Sequence, residues 1–257
     1  MYLCLMQNVE EILESAYQTY HIKDFIKDDP ISIPYQFSRK QDIEIIGFWT
    51  AVLSWGRRAS IIKSANRLVE LMDGAPYDFI IHHQDTDLIP FEKFVHRTFQ
   101  PTDALYFIHF LKQYYQHNDT LENAFAEAIQ PNDLTIKKGL IAFHEQFFGL
   151  PEAPQRTRKH IPTPLRKSSC KRLNMFLRWM VRKGEVDFGI WNQIKPSQLL
   201  MPLDVHVERM GHKLGLLNRK QRDWKAVEEL TDNLRKIDPI DPVRFDFALF
   251  GLGLEGY

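Results

Sequence analysis

A lysine near one helix start and an aspartate at another are the residues of this sequence whose type and placement suggest chemistry. Lys171 lies two or three residues beyond Ser168 and Ser169, either of which reads as a helix N-cap. The helix dipole presents partial positive charge there. Such a setting favours the neutral amine that a nucleophilic lysine requires, although a flexible surface lysine is the plainer alternative. Asp204, in the stretch Met201-Pro202-Leu203-Asp204-Val205-His206-Val207-Glu208-Arg209, stands where a helix begins. Capping alone explains it, yet a carboxylate held by backbone N–H groups is also ready to stabilise a developing cation or accept a proton.

The surrounding charge pattern is uneven. Residues 153–184 contain ten basic side chains, including Arg166, Lys167 and Arg172, and no acidic one. Pro151, Pro154, Pro162 and Pro164 keep the first part of this stretch non-helical, so an extended basic loop should run into the Lys171 helix. It is either a solvated linker or a contact for a phosphate backbone.

Helices must position these residues, because apolar side chains recur at helical spacing almost throughout. Val9, Ile12, Leu13, Ala16, Tyr17 and Tyr20 share one face of a first helix. A run from about Gln41 to Trp55, with Gly56 as C-cap, and another through Ile61, Ala65, Leu68, Val69 and Met72 form a helical hairpin. Leu173, Phe176, Leu177 and Met180 mark the Lys171 helix, and Leu203, Val207, Met210 and Leu214 mark the one after Asp204. Trp224, Val227, Leu230 and Leu234 follow, and a last helix is opened by Asp241 as N-cap and Pro242 in its first turn. No alternating strand pattern and no internal repeat is evident. About ten helices are expected.

Composition removes several function classes. The 257 residues are 44% hydrophobic and 26% charged, ordinary for a globular protein. Thirty-three basic residues balance thirty-three acidic ones, so an anionic partner must meet a local patch. Two cysteines, Cys4 and Cys170, are too few for a disulfide framework or a four-thiolate cluster, which fits a reducing, cytoplasmic setting. Glu10, Glu11 and Glu14 stand where a signal peptide would be basic, and no apolar run approaches the roughly 20 residues that span a bilayer. Gly251, Gly253 and Gly256 match the spacing of a dinucleotide loop but follow a helix rather than a strand. Histidine and acidic residues show no metal-site spacing, so no metal or cofactor is expected.

The sequence resembles the helix-hairpin-helix superfamily of base-excision DNA glycosylases, which includes endonuclease III and the archaeal 8-oxoguanine glycosylases. Residues 46–54 with 61–72 resemble the helix pair opening that fold's barrel. Lys171-Arg172-Leu173-Asn174-Met175-Phe176-Leu177 resembles the start of the helix bearing the lysine nucleophile, and Leu203-Asp204-Val205-His206-Val207-Glu208-Arg209 the stretch bearing the catalytic aspartate. More narrowly, residues 171–182 and Phe247-Ala248-Leu249-Phe250-Gly251-Leu252-Gly253 are similar to a bacterial family, domain of unknown function 2400. The superfamily's glycine-rich hairpin is replaced here by Pro164-Leu165-Arg166-Lys167-Ser168-Ser169-Cys170, its wedge glutamine by Trp55-Gly56-Arg57, and the threonine after the aspartate by Val205.

The resemblance implies an all-α, two-lobed fold, with residues 38–184 as a helical barrel and residues 1–37 and 185–257 as the second lobe. It implies a glycosylase, or glycosylase/lyase, in which Lys171 attacks the sugar C1′ and Asp204 assists. Arg57, Arg58, Arg166, Lys167 and Arg172 would contact DNA, or RNA, and Trp55, Trp179, Trp191 and Phe245 would line the base pocket. No iron-sulfur cluster and no membrane partner are expected. An inactive nucleic-acid-binding module of the same fold and a helical interaction scaffold are the two alternatives.

Overall fold

The computed structural model describes residues 2–256, with side chains from residue 8 onward. Its twelve α-helices are α1 (Tyr2–Tyr20), α2 (Asp24–Asp28), α3 (Lys40–Leu53), α4 (Arg58–Leu71), α5 (Pro76–His82), α6 (Pro101–Tyr115), α7 (Asn123–Ala126), α8 (Lys137–Phe147), α9 (Lys171–Val181), α10 (Val205–Lys213), α11 (Trp224–Arg235) and α12 (Asp246–Glu255). Among the described residues there is no β-strand, only isolated bridges at His96/Phe99 and Lys183/Phe188. The fold is all-α. The helices beyond the expected ten include pieces as short as α2 and α7, which leave little periodic trace.

The chain divides into two compact units. Unit one comprises Met1–Lys27, Pro131–Lys137 and Thr163–Tyr257; unit two comprises Asp28–Gln130 and Lys138–Pro162. Residues 163–184, grouped with a barrel lobe in the sequence reading, belong to unit one together with Asp204.

Unit two is built on α3, which beyond its polar first turn is apolar on nearly every side and therefore buried, with Ile45, Phe48, Val52 and Leu53 essentially inaccessible. Phe48, Phe107 and Phe147 form an aromatic core with ring centroids 4.8–6.1 Å apart. The one carboxylate of α3 in that core, Glu44, accepts hydrogen bonds from Tyr115 Oη (2.8 Å), the Leu121 N–H (3.0 Å) and the Thr120 hydroxyl. A buried charge is tolerated when hydrogen-bonded in this way. The C-cap expected at Gly56 is instead Ser54, because α3 stops at Leu53. Gly56, at φ +105°, turns the chain toward α4.

Unit one is organised by α12, which packs against both α1 and α10. Its Phe247, Ala248 and Leu249 are buried. Gly251 and Gly253 permit the close crossings. A Cβ on Gly251 would lie 2.3 Å from the Tyr20 ring, and one on Gly253 would lie 3.0 Å from the His206 carbonyl oxygen. The second contact lies at the start of α10, immediately behind the Asp204 cap. Asp241 holds the N-cap position with Pro242 after it, as expected, but of a 3-10 turn rather than of the last α-helix itself. A 3-10 turn, Pro242–Phe245, precedes α12, and the Asp241 side chain makes no capping bond because its carboxylate receives Arg182 Nε at 2.9 Å.

Candidate active site

Asp204 is the N-cap of α10. Its Oδ1 accepts from the N–H groups of His206 (2.9 Å) and Val207 (3.0 Å), satisfying two of the donors that a helix start leaves open. Lys171 is the first residue of α9, half-buried, with Nζ 3.4 Å from Met175 Sδ one turn along.

The start of α9 differs from the expected serine cap. Cys170 occupies the N-cap position in the left-handed conformation (φ 49°), and no side chain caps the helix. The Ser168 hydroxyl instead accepts from the Cys170 N–H at 3.2 Å, a local turn bond available to a serine two residues upstream. Lys167 is also left-handed, at φ 60°. Two non-glycine residues thus adopt, within one turn, a conformation that usually calls for glycine.

The residue that relates the two sequence-derived candidates is Asp246, at the start of α12. Burial pushes its carboxyl up to about 6. Arg178 pulls it back, Asp204 raises it further and Lys171 lowers it, so both candidates act on the same carboxyl. Arg178 binds Asp246 through Nη1 and lies seven residues, two helical turns, beyond Lys171 on α9. Sequence reading passed over Asp246. Its signal was an acid in the first turn of a helix whose other members are almost all apolar.

The raised value has a measurable consequence. A carboxyl whose folded-state pKa lies above its ordinary 3.8 contributes stability that is complete below about pH 4 and lost as pH rises through about 6. For a shift of this size the loss is up to about 3 kcal/mol. Asp246→Asn removes the titration. The stability of wild type relative to that variant, from urea unfolding, should therefore decline between pH 4 and pH 7, and a flat difference would contradict the assignment.

Behind Asp246 lies a buried ionic network. Arg178 Nε donates to Asp187 Oδ1 (3.2 Å), Arg182 Nη1 donates to Asp187 Oδ2, and Arg182 Nη2 lies 2.9 Å from Asp241 Oδ2. Arg178 also stands 4.2 Å above the Phe247 ring. His21 meets the same ring edge-on at 4.7 Å, and burial, with Arg182 and Arg178, lowers its pKa.

Comparison with known sequences identifies the family. A family profile described as Protein of unknown function (DUF2400) matches residues 29–255. The chain belongs to the DUF2400 family. No curated protein and no solved structure gives a significant match.

The structure distributes the remaining candidates of this DUF2400 chain unevenly. Trp179, Trp191 and Phe245 are buried in unit one; Trp191 packs edge-on against Phe176 at 5.3 Å, and the Arg244 guanidinium lies 4.3 Å from the Phe245 ring. Trp55 belongs to unit two, half-buried, with the Arg97 guanidinium 4.6 Å from its ring. Arg57 and Arg58, also in unit two, are exposed, as are Arg166 and Lys167 in unit one. Arg172 is half-buried, and burial lowers its guanidinium to about 10, so it remains a cation at neutral pH.

Several cations of the basic stretch have internal partners. Arg178 and Arg182 belong to the buried network, Arg158 lies 4.7 Å from the Phe148 ring, and Arg156 pairs with Asp103. Burial alone would raise Asp103, but hydrogen bonds from His160, Thr157 and the Gln100 N–H hold it at about 2. Among the described residues no group of three or more histidine, cysteine or acidic side chains could hold a metal ion, and no helix is long and apolar enough to cross a membrane.

Proposed function

We propose that this chain is a DNA glycosylase with lyase capability. The observation that carries the reading is that Lys171 and Asp204, each at a helix start, both act on the charge of the buried Asp246 carboxyl. The resemblance of residues 171–177 and 203–209 to the lysine and aspartate segments of helix-hairpin-helix glycosylases supports it. In this reading the Lys171 amine attacks C1′ of the target nucleotide. The N–C1′ bond forms, the glycosidic bond breaks, and the base departs with the electron pair and takes up a proton. Asp204 stabilises the cationic sugar in the transition state and accepts the proton lost by the amine. The C1′–O4′ bond of this adduct then breaks, O4′ takes up a proton and the nitrogen–C1′ double bond of a Schiff base forms; loss of a C2′ proton from it permits elimination of the 3′ phosphate. The target nucleotide must leave the stack, at a cost of a few kcal/mol offset by phosphate contacts from residues such as Arg166 and Lys167.

Borohydride trapping tests the proposal. Wild-type protein with duplexes carrying oxidised, alkylated or deaminated bases is expected to give a covalent adduct with at least one substrate, and Lys171→Gln none. Absence of any Lys171-dependent adduct across that panel would defeat it. One observation favours a second reading, nucleic-acid binding without catalysis: the Lys171 amine rests against the Met175 sulfur. That reading expects salt-sensitive binding and no base release from the wild-type protein.

A further inference from the structure

We infer that a cavity in unit one binds a phosphate ester. The recess has a volume of about 320 Å³ and is lined by Lys137, Lys167, Arg219 and Lys225 with Asp223, Trp224 and Glu228. Its size lies at the lower end of the roughly 300–1,000 Å³ of small-ligand sites, enough for a phosphate and the sugar attached to it.

The charge balance inside it is what selects an anion. Four cations face two carboxylates, and both carboxylates are already engaged. Asp223 pairs with Arg219 and accepts the Ala226 N–H at 3.2 Å as the cap of α11. Glu228 accepts Trp224 Nε1 at 2.6 Å and Lys137 Nζ at 2.9 Å. Among the described residues Lys167 and Lys225 have no ion-pair partner. Two positive charges are therefore left in a concave site, where low-dielectric walls focus their field on whatever enters.

The site is also held in shape. The Trp224 N–H donates to the Lys167 carbonyl at 3.1 Å, joining the loop before α9 to the start of α11. Trp224 is buried beneath, and Lys137 stands 5.6 Å from the centre of its ring. A phosphate bridging Lys167 and Lys225 would exchange like-charge repulsion for two charge-assisted hydrogen bonds. The phosphate could be supplied by a free nucleotide or by a nucleic-acid backbone; only the second source rests on the proposed function.

The test uses the full chain and the double variant Lys167→Ala/Lys225→Ala. Anisotropy with a labelled duplex oligonucleotide is measured over a salt series, and calorimetry with adenosine monophosphate. Duplex binding weakened about tenfold, with the salt dependence reduced by about two counterions, identifies a backbone phosphate. Loss of nucleotide binding alone identifies the free ligand. Both side chains are exposed, so the fold should persist, and Lys225→Gln should give a smaller loss in the same direction. Lys220→Ala, outside the lining, should change neither affinity. Wild-type protein that binds neither probe, or a double variant that binds both as tightly as wild type, overturns the inference. If wild-type protein gives no borohydride adduct while Lys167- and Lys225-dependent binding persists, the catalytic reading falls and this site stands.

Discussion

Arg182→Met should destabilise the protein by about 3–5 kcal/mol, because it removes one of the two cations paired with the buried Asp187 and the cation paired with the partly buried Asp241. Arg182 is 1% exposed, and the Asp187 it binds is fully buried. Asp241 loses its Nε and Nη2 contacts in the same change. The methionine side chain replaces much of the lost volume, so the penalty reports charge rather than a cavity. Urea unfolding at pH 7 measures it. Combining Arg182→Met with Asp187→Asn should cost less than the sum of the two single changes, since the second removes the charge that the first exposes. A single-variant loss under about 1 kcal/mol would show that water or a neighbouring cation replaces Arg182, and that α9 does not depend on this network for its position.

Asp204→Asn separates capping from chemistry. Asparagine caps a helix about as well as aspartate, so both bonds to the start of α10 can be retained and stability should change by no more than about 1 kcal/mol. The negative charge is lost. Under the proposed function base release should then fall by roughly 10²–10⁴-fold, the usual contribution of a positioned acid–base group. Single-turnover base release on a substrate identified by trapping is the measurement. An unchanged rate would reduce Asp204 to a cap. A rate that falls only in proportion to lost folded protein would do the same.

The contrast between Asp204 and Cys170 shows how far local pattern carries. The cap at Asp204 was legible because its partners, His206 and Val207, lie within three residues. The start of α9 was misjudged by assigning the cap to a serine, since nothing in the residue types announces a cysteine with positive φ. Trp179, Trp191 and Phe245 illustrate a second limit. An aromatic residue at helical spacing looks the same whether it lines a pocket or fills a core, and burial is a property of the neighbours.

The sequence by itself determined the all-helical class, most of the longer helices and the cap at Asp204. Helical periodicity and capping act over a few residues, so the chain carries their record locally. Only the tertiary structure decided which cations remain available to a ligand. Arg178 and Arg182 stand in an unbroken basic run, yet their partners Asp241 and Asp246 come some sixty residues later. Ion pairing depends on distance in space, and folding brought those acids to α9 while leaving Lys167 and Lys225 without any such partner among the described residues.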